Sequence, residues 1–376
     1  MNDDHKIDPT GVIRAEVLAM RAYQVADSRG LVKLDAMENP YRLPQQLRQA
    51  LGERLAEVAI NRYPVPSYAE LRAAIRASFG VPEGYDVVLG NGSDELIAML
   101  TLVTARPGAV VLSPWPSFVM YEMAARLSGS RFVGVPLRAD FTLDTEAMLA
   151  AISSERPALT FIAYPNNPTG NCHEAGAIEA IIAAAPGLVV IDEAYQPFAL
   201  DTWMDRLPEF PNLAVLRTVS KLGMAGLRLG YLSAATAWLA ELEKVRPPYN
   251  IGSLNEAAAI FALEHLAVFE AQAAELRAAR GALALDLAAI PGVEVFPSRA
   301  NFLLIRVADG PATAAGLRKR GVLIRDVGKM HPLLGNCLRL TVSDPQENAA
   351  LLAALRDTQN AALLAALRET QRASGA

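Results

Sequence analysis

The residue best suited to covalent chemistry is a lysine at the end of an apolar run. Lys221 stands in Arg217-Thr218-Val219-Ser220-Lys221-Leu222-Gly223-Met224-Ala225-Gly226-Leu227-Arg228. Desolvation at the end of a buried strand lowers a lysine's pKa and makes its amine a nucleophile. The glycines around it suit a loop packed against a ligand, and Arg228 offers a planar fork for a phosphate. An acid closes a second apolar run, Leu188-Val189-Val190-Ile191-Asp192-Glu193-Ala194-Tyr195. A carboxylate at the edge of a core is costly unless it meets a cation.

Two further segments are polar and conformationally restricted. Gly90-Asn91-Gly92-Ser93-Asp94-Glu95 follows a strand-like run and opens a helical one. Free N–H groups at such a start bind phosphate, and glycine lets the backbone approach closely. It is neither the three-glycine dinucleotide fingerprint nor a Walker loop. In Tyr164-Pro165-Asn166-Asn167-Pro168-Thr169-Gly170, two prolines and a glycine stiffen a backbone that carries polar side chains. Taken singly, these segments also read as a solvated lysine, a surface ion pair, a turn capped by Ser93 or Asp94, and a rigid loop. Together they supply a phosphate cradle, a fixed asparagine, an acid, a lysine and an arginine. That set suits pyridoxal phosphate, which needs a lysine for its aldehyde, an acid for its ring nitrogen and a cradle for its phosphate.

The elements that position them follow from hydrophobic pattern. Short apolar runs at 87–90, 109–113, 131–137, 159–164, 188–192, 213–219 and 229–233 read as strands. Helical stretches at 94–104, 117–128, 144–153, 174–185 and 235–245 fit between most of them. This alternation predicts an α/β fold with a largely parallel sheet covered on both faces, and ligands gather beyond the carboxyl ends of such strands. Before it, 11–22 reads as a short helix, 31–34 as a strand, and 45–59 and 68–79 as helices. After it, 254–289 reads as one alanine-rich helical stretch. Short strands at 292–296, 301–307, 322–325 and 337–342 then surround a helix near 313–320. The tail repeats itself: NAALLAALRDTQ at 348–359 is followed by NAALLAALRETQ at 360–371. A twelve-residue step turns a helix by about 120° beyond whole turns, so the second copy does not continue the first copy's apolar face. The repeat is expected to lengthen or kink the last helix.

Asn167-Pro168-Thr169-Gly170, Asp192-Glu193-Ala194-Tyr195 and Ser220-Lys221 through Arg228 occur in the order and approximate spacing of the fold-type I pyridoxal-phosphate aminotransferases, which the chain resembles over nearly its whole length. Glu38-Asn39-Pro40-Tyr41, Asn61-Arg62-Tyr63-Pro64, Leu323-Ile324-Arg325-Asp326 and Cys337-Leu338-Arg339-Leu340-Thr341 bring it nearest to the histidinol-phosphate aminotransferases. The resemblance implies a large domain, 42–285, built on a mostly parallel seven-stranded sheet. It implies a smaller α+β domain made from 1–41 and 286–376. Lys221 would hold the cofactor and move a proton, Asp192 would pair with the ring nitrogen, and Asn167 and Tyr195 would bond its phenolate oxygen. Gly92, Ser93, Asp94, Thr218, Ser220 and Arg228 would surround its phosphate, and Phe118 would stack on its ring. Tyr63 would reach the phosphate of the other subunit of a homodimer. Arg339, helped by Arg325, would grip the phosphate of histidinol phosphate and the carboxylate of glutamate or 2-oxoglutarate, with Tyr23 closing over the substrate. Two departures stand out: Lys221 and Arg228 are seven apart where many members have eight, and Phe118 replaces a tyrosine. An aromatic aminotransferase, a decarboxylase of a phosphorylated amino acid, and a catalytically silent binding protein are the other readings.

Composition narrows the rest. In 376 residues, 35 Lys and Arg against 40 Asp and Glu give a net charge of −5 without a basic block, a poor footprint for nucleic acid. Hydrophobic residues at 52% suffice for a large core. No apolar run approaches the roughly 18 residues of a membrane span, and the first residues lack the pattern of a signal peptide. The expectation is a cytoplasmic protein with no metal site: two cysteines and four histidines lack ligand spacing.

Overall fold

A computed structural model describes residues 8–20, 22 and 26–374, the side chains beyond 361 excepted. Near the start lie a turn of 3-10 helix, Pro9–Gly11, and a single helical turn, Ala15–Leu18, in place of the expected helix over 11–22. Strand β1, Val32–Lys33, follows, then helices Gln45–Ala56 and Ala69–Phe79.

The central sheet contains β2 (Asp86–Asn91), β3 (Val110–Trp115), β4 (Arg131–Pro136), β5 (Leu159–Ala163), β6 (Leu188–Asp192), β7 (Leu213–Thr218) and β8 (Leu229–Ala234). Its spatial order is β2-β8-β7-β6-β5-β3-β4. All pairings are parallel except those of β8, which runs antiparallel to both β2 and β7. All seven strands coincide with the apolar runs read from the sequence. They are mostly apolar where both faces are covered: every residue of β5, β6, β7 and β8 is buried, including the polar Thr160, Arg217 and Ser233.

Side chains alternate between two cores. Leu188 and Val190 of β6 pack with Leu96, Tyr121, Phe161 and Leu239 on one face. Val189 and Ile191 pack with Trp203, Val215 and Tyr231 on the other, in a core that runs on into the C-terminal region. By this period Asp192 belongs to the first face and Glu193 to the second.

The expected stretch 254–289 is two helices, Ser253–Glu264 and Leu266–Ala288, bent by 74°. His265 between them leaves helical geometry, and its Nδ1 lies 2.9 Å from the Phe261 carbonyl. Among the described residues no single helix is long and apolar enough to cross a membrane.

The C-terminal region forms a second sheet, β12-β13-β10-β9, from β9 (Glu294–Val295), β10 (Phe302–Arg306), β12 (Arg325–Asp326) and β13 (Cys337–Thr341). The strand expected at 322–325 divides at Ile324. Its first half, β11 (Val322–Leu323), pairs in parallel with β1 instead. The N-terminal segment is thereby tied to the C-terminal region. Helix Gly310–Lys319, capped by the Asp309 side chain, packs on the last helix. That last helix runs without a break from Pro345 to Ser374, so the duplicated segment lengthens it.

Candidate active site

The carboxyl ends of β5, β6 and β7 meet the loop after β2 in a cleft of about 590 Å³. Asp192, the last residue of β6, is buried in its wall. The backbone N–H of Ala194 donates to its Oδ1 at 3.1 Å, and the Tyr121 hydroxyl donates to its Oδ2 at 2.7 Å. Burial pushes its carboxyl up to about 6, against the pull of these two donors. No salt bridge to a cation is formed by Asp192 among the described residues.

Lys221 follows β7 in a turn of 3-10 helix. Its Nζ donates to the Ala36 carbonyl at 2.9 Å and lies 5.9 Å from the centre of the Tyr195 ring. Burial, and next the charge of Arg339, push its amine down to about 8. A nucleophilic lysine needs this depression, since an ordinary one is protonated near neutrality.

The expected phosphate cradle is built by close backbone approach. Gly92 is at φ +80° and precedes helix Ser93–Val103, whose first two residues line the cleft. A Cβ on Gly92 would stand 2.7 Å from Arg228 Nη2, and one on Gly230 would stand 2.7 Å from the Ser93 nitrogen. Arg228, at φ +48°, turns its guanidinium to within 3.6 Å of Asp94. Thr218 Oγ1 lies 2.9 Å from Ser220 Oγ. Ser93, Asp94, Thr218, Ser220 and Arg228 all line the cleft. The seven-residue step from Lys221 therefore still delivers the arginine to the cradle. A buried acid with cleft access, a depressed lysine and a cradle that any Cβ would fill together fit pyridoxal phosphate.

Phe118 and Asn167 stand where this cleft opens into a wider space that also reaches Lys33, Arg325 and Arg339. Arg325 and Arg339 face each other directly across β12 and β13. Arg339 Nη1 donates to Asn167 Oδ1 at 2.5 Å and its Nη2 to the Asp35 carbonyl at 2.8 Å. Tyr195 sits edge-on to Phe302 at 5.1 Å.

One expected residue is not brought to this cleft. Tyr63 is 80% exposed and stacks on Tyr249 at 4.5 Å, away from the cleft of its own chain. Tyr23 lies outside the described residues. Three contributors were not foreseen. Tyr121 lies in the first turn of helix Met120–Leu127, three residues beyond Phe118, and an aromatic residue there signals only core. Gly230 is needed for the approach of Ser93, and its nearness to Arg228 was the available signal. Asn39 donates to the Leu222 carbonyl at 3.1 Å and to Gln272 at 3.0 Å, fixing the segment that lies over Lys221.

Comparison with known proteins shows the family. The family model "Aminotransferase class I and II" matches residues 29–355. Histidinol-phosphate aminotransferase 2 of Cupriavidus pinatubonensis is 60% identical over 356 residues, 93% of this chain and 97% of the relative. Histidinol-phosphate aminotransferase of Chromobacterium violaceum is 56% identical, over 93% of this chain and 99% of the relative. The crystal structure of histidinol-phosphate aminotransferase from Sinorhizobium meliloti in complex with pyridoxal-5'-phosphate has the same fold. Its TM-score is 0.81 at 23% identity, over 93% of this chain and 98% of that one.

Proposed function

The chain belongs to the class I and II aminotransferase family, and from that premise we propose how its residues divide the work of a histidinol-phosphate transaminase. It is a pyridoxal-phosphate enzyme of fold type I that exchanges an amino group between histidinol phosphate and 2-oxoglutarate, a step of histidine biosynthesis. When bound, the cofactor supplies an aldehyde for the substrate amine and an electron-poor ring.

Lys221 would hold the cofactor through Nζ, and its amine, once freed by the substrate's own amine, would take the proton from the substrate carbon that bears the amine. Its placement at the cleft and its pKa of about 8 suit both tasks. Asp192 receives the ring N–H. Asn167 and Tyr195 bond the phenolate oxygen. Gly92, Ser93 and Asp94 offer backbone N–H groups to the phosphate, with Thr218, Ser220 and Arg228 alongside. Phe118 stacks on the ring without the hydroxyl a tyrosine would add. We read 42–285 as the cofactor unit and 1–41 with 286–376 as the substrate-gripping unit. The protein acts in the cytoplasm as a homodimer in which Tyr63 serves the neighbouring subunit, a role suited to its exposure.

One observation carries the substrate assignment: Arg325 and Arg339 stand opposite each other at the end of the cleft that Lys221 shares. Two guanidinium forks form charge-assisted bonds to a phosphate that a neutral group cannot replace. A site built for such a group rejects its absence by as much as about 10⁴. Histidinol phosphate should therefore exceed histidinol greatly in kcat/KM, and Arg339→Ala should erase most of that preference while also weakening glutamate. Phenylalanine outpacing histidinol phosphate in the wild type would replace this reading with an aromatic aminotransferase. Light scattering on the same working solution should give a dimer, and an active monomer would remove the shared-site role of Tyr63.

A further inference from the structure

Tyr121 is fully buried on helix Met120–Leu127, and its hydroxyl donates to Asp192 Oδ2 at 2.7 Å. The other oxygen of that carboxylate accepts from the Ala194 backbone N–H. Each oxygen thus has one donor, from two different elements, which fixes the carboxylate plane. The tyrosine ring is itself held fast. It stacks on Phe161 at 4.5 Å with 1° between planes and meets the Phe118 ring edge-on at 5.6 Å. Burial, with Asp192 beside it, keeps the phenol well above its ordinary pKa, so it remains a neutral donor.

Building on the cofactor reading above, we propose that Tyr121 is a positioning residue for the cofactor's ring nitrogen. Its O–H clamps Asp192 in the orientation that receives the ring N–H. The hydroxyl reaches the cofactor's ring nitrogen through the acid that accepts from it. A buried tyrosine needs one acceptor, and a backbone carbonyl would serve for folding. Here the acceptor is the acid that faces the ligand. Phe118, just before the helix, and Tyr121, in its first turn, then form a unit through their edge-on contact, one lying against the ring and the other orienting its counter-ion.

The test uses two probes on cofactor-free protein: pyridoxamine phosphate, and its carbocyclic analogue in which CH replaces the ring nitrogen. Neither has an aldehyde, so Lys221 does not capture them. Tyr121→Phe removes one oxygen and keeps the ring stack. Affinity for pyridoxamine phosphate should fall about tenfold in Tyr121→Phe, while affinity for the carbocyclic analogue should change by less than about twofold. Phe161→Leu keeps the hydroxyl but loosens its platform, and should give the same selective loss in smaller measure; it also carries the test if Tyr121→Phe fails to fold. Equal losses on both probes in these variants, or none on either, would overturn the proposal. Failure of the wild type to bind pyridoxamine phosphate would instead overturn the cofactor reading on which it rests.

Discussion

Asp192 and Glu193 are adjacent, both buried, and face opposite sides of the same sheet. On the cleft side, Asp192 has two neutral donors and access to a ligand. On the rear side, Arg217 Nε and Nη2 both lie 2.8 Å from Glu193 Oε2. Thr202 Oγ1 adds a bond at 3.0 Å, and the Trp203 N–H donates to Oε1. Burial raises both carboxyls, but at Glu193 the charge of Arg217 opposes it. One acid has its counter-ion within the fold, and the other, on the proposed reading, would find it in a ligand. Two side chains of nearly the same chemistry would thus do structural and functional work one peptide bond apart.

This contrast is most sharply tested at the rear. Glu193→Gln leaves Arg217 a buried cation without its partner, and breaking such a pair costs about 3–5 kcal/mol. Denaturant unfolding of the cofactor-free protein should show that loss, with turnover per folded site little changed. A loss of turnover without loss of stability would break the comparison.

At the front the sign reverses. The folded pKa of Asp192, about 6, is above its unfolded value, so the folded state binds the extra proton. Its contribution is full at low pH and is lost as pH rises through about 6. Removing the charge should therefore make cofactor-free Asp192→Asn more stable than wild type near pH 7.5, by at most about 3 kcal/mol. The difference should vanish below about pH 4, where both side chains are neutral. The same variant should hold the cofactor less well. Equal destabilisation by Asp192→Asn and Glu193→Gln would mean the two acids play one role.

The smallest effect concerns Lys221. Only its neutral amine attacks an aldehyde, so capture of the cofactor by the empty protein should speed up as pH rises through about 8 and then level off. Arg339 contributes to this lowering. Arg339→Ala should move the midpoint upward, and stopped-flow absorbance across pH would show it. An unmoved midpoint would mean that burial alone sets the amine.

The sheet was legible because its central strands are buried on both faces and read as mostly apolar runs. The polar residues at their ends stood out against that background, which is why Asp192, Asn167 and Lys221 could be picked from sequence. Tyr121 could not. An aromatic residue on an apolar helical face has the signature of core, and only the third dimension brings its hydroxyl to Asp192. The break at His265 was equally hidden, because no glycine or proline stands near it in the alanine-rich run. Strand partners are non-local, so nothing in Val322-Leu323-Ile324-Arg325 told that its halves join different sheets. The role of Asn39 as a tie between the N-terminal segment and the Lys221 loop depends on residues 183 and 233 positions away.

The facing of Arg325 and Arg339 has a consequence for how this protein can change. Like charges directly opposite on neighbouring strands work against folding. If the pair grips the substrate's phosphate as proposed, an anion between them would offset part of that cost, and affinity for phosphate would in that sense be prepaid by the rest of the fold. Selection for heat resistance alone would then favour replacing one arginine, and the hardier protein would lose part of its hold on the substrate.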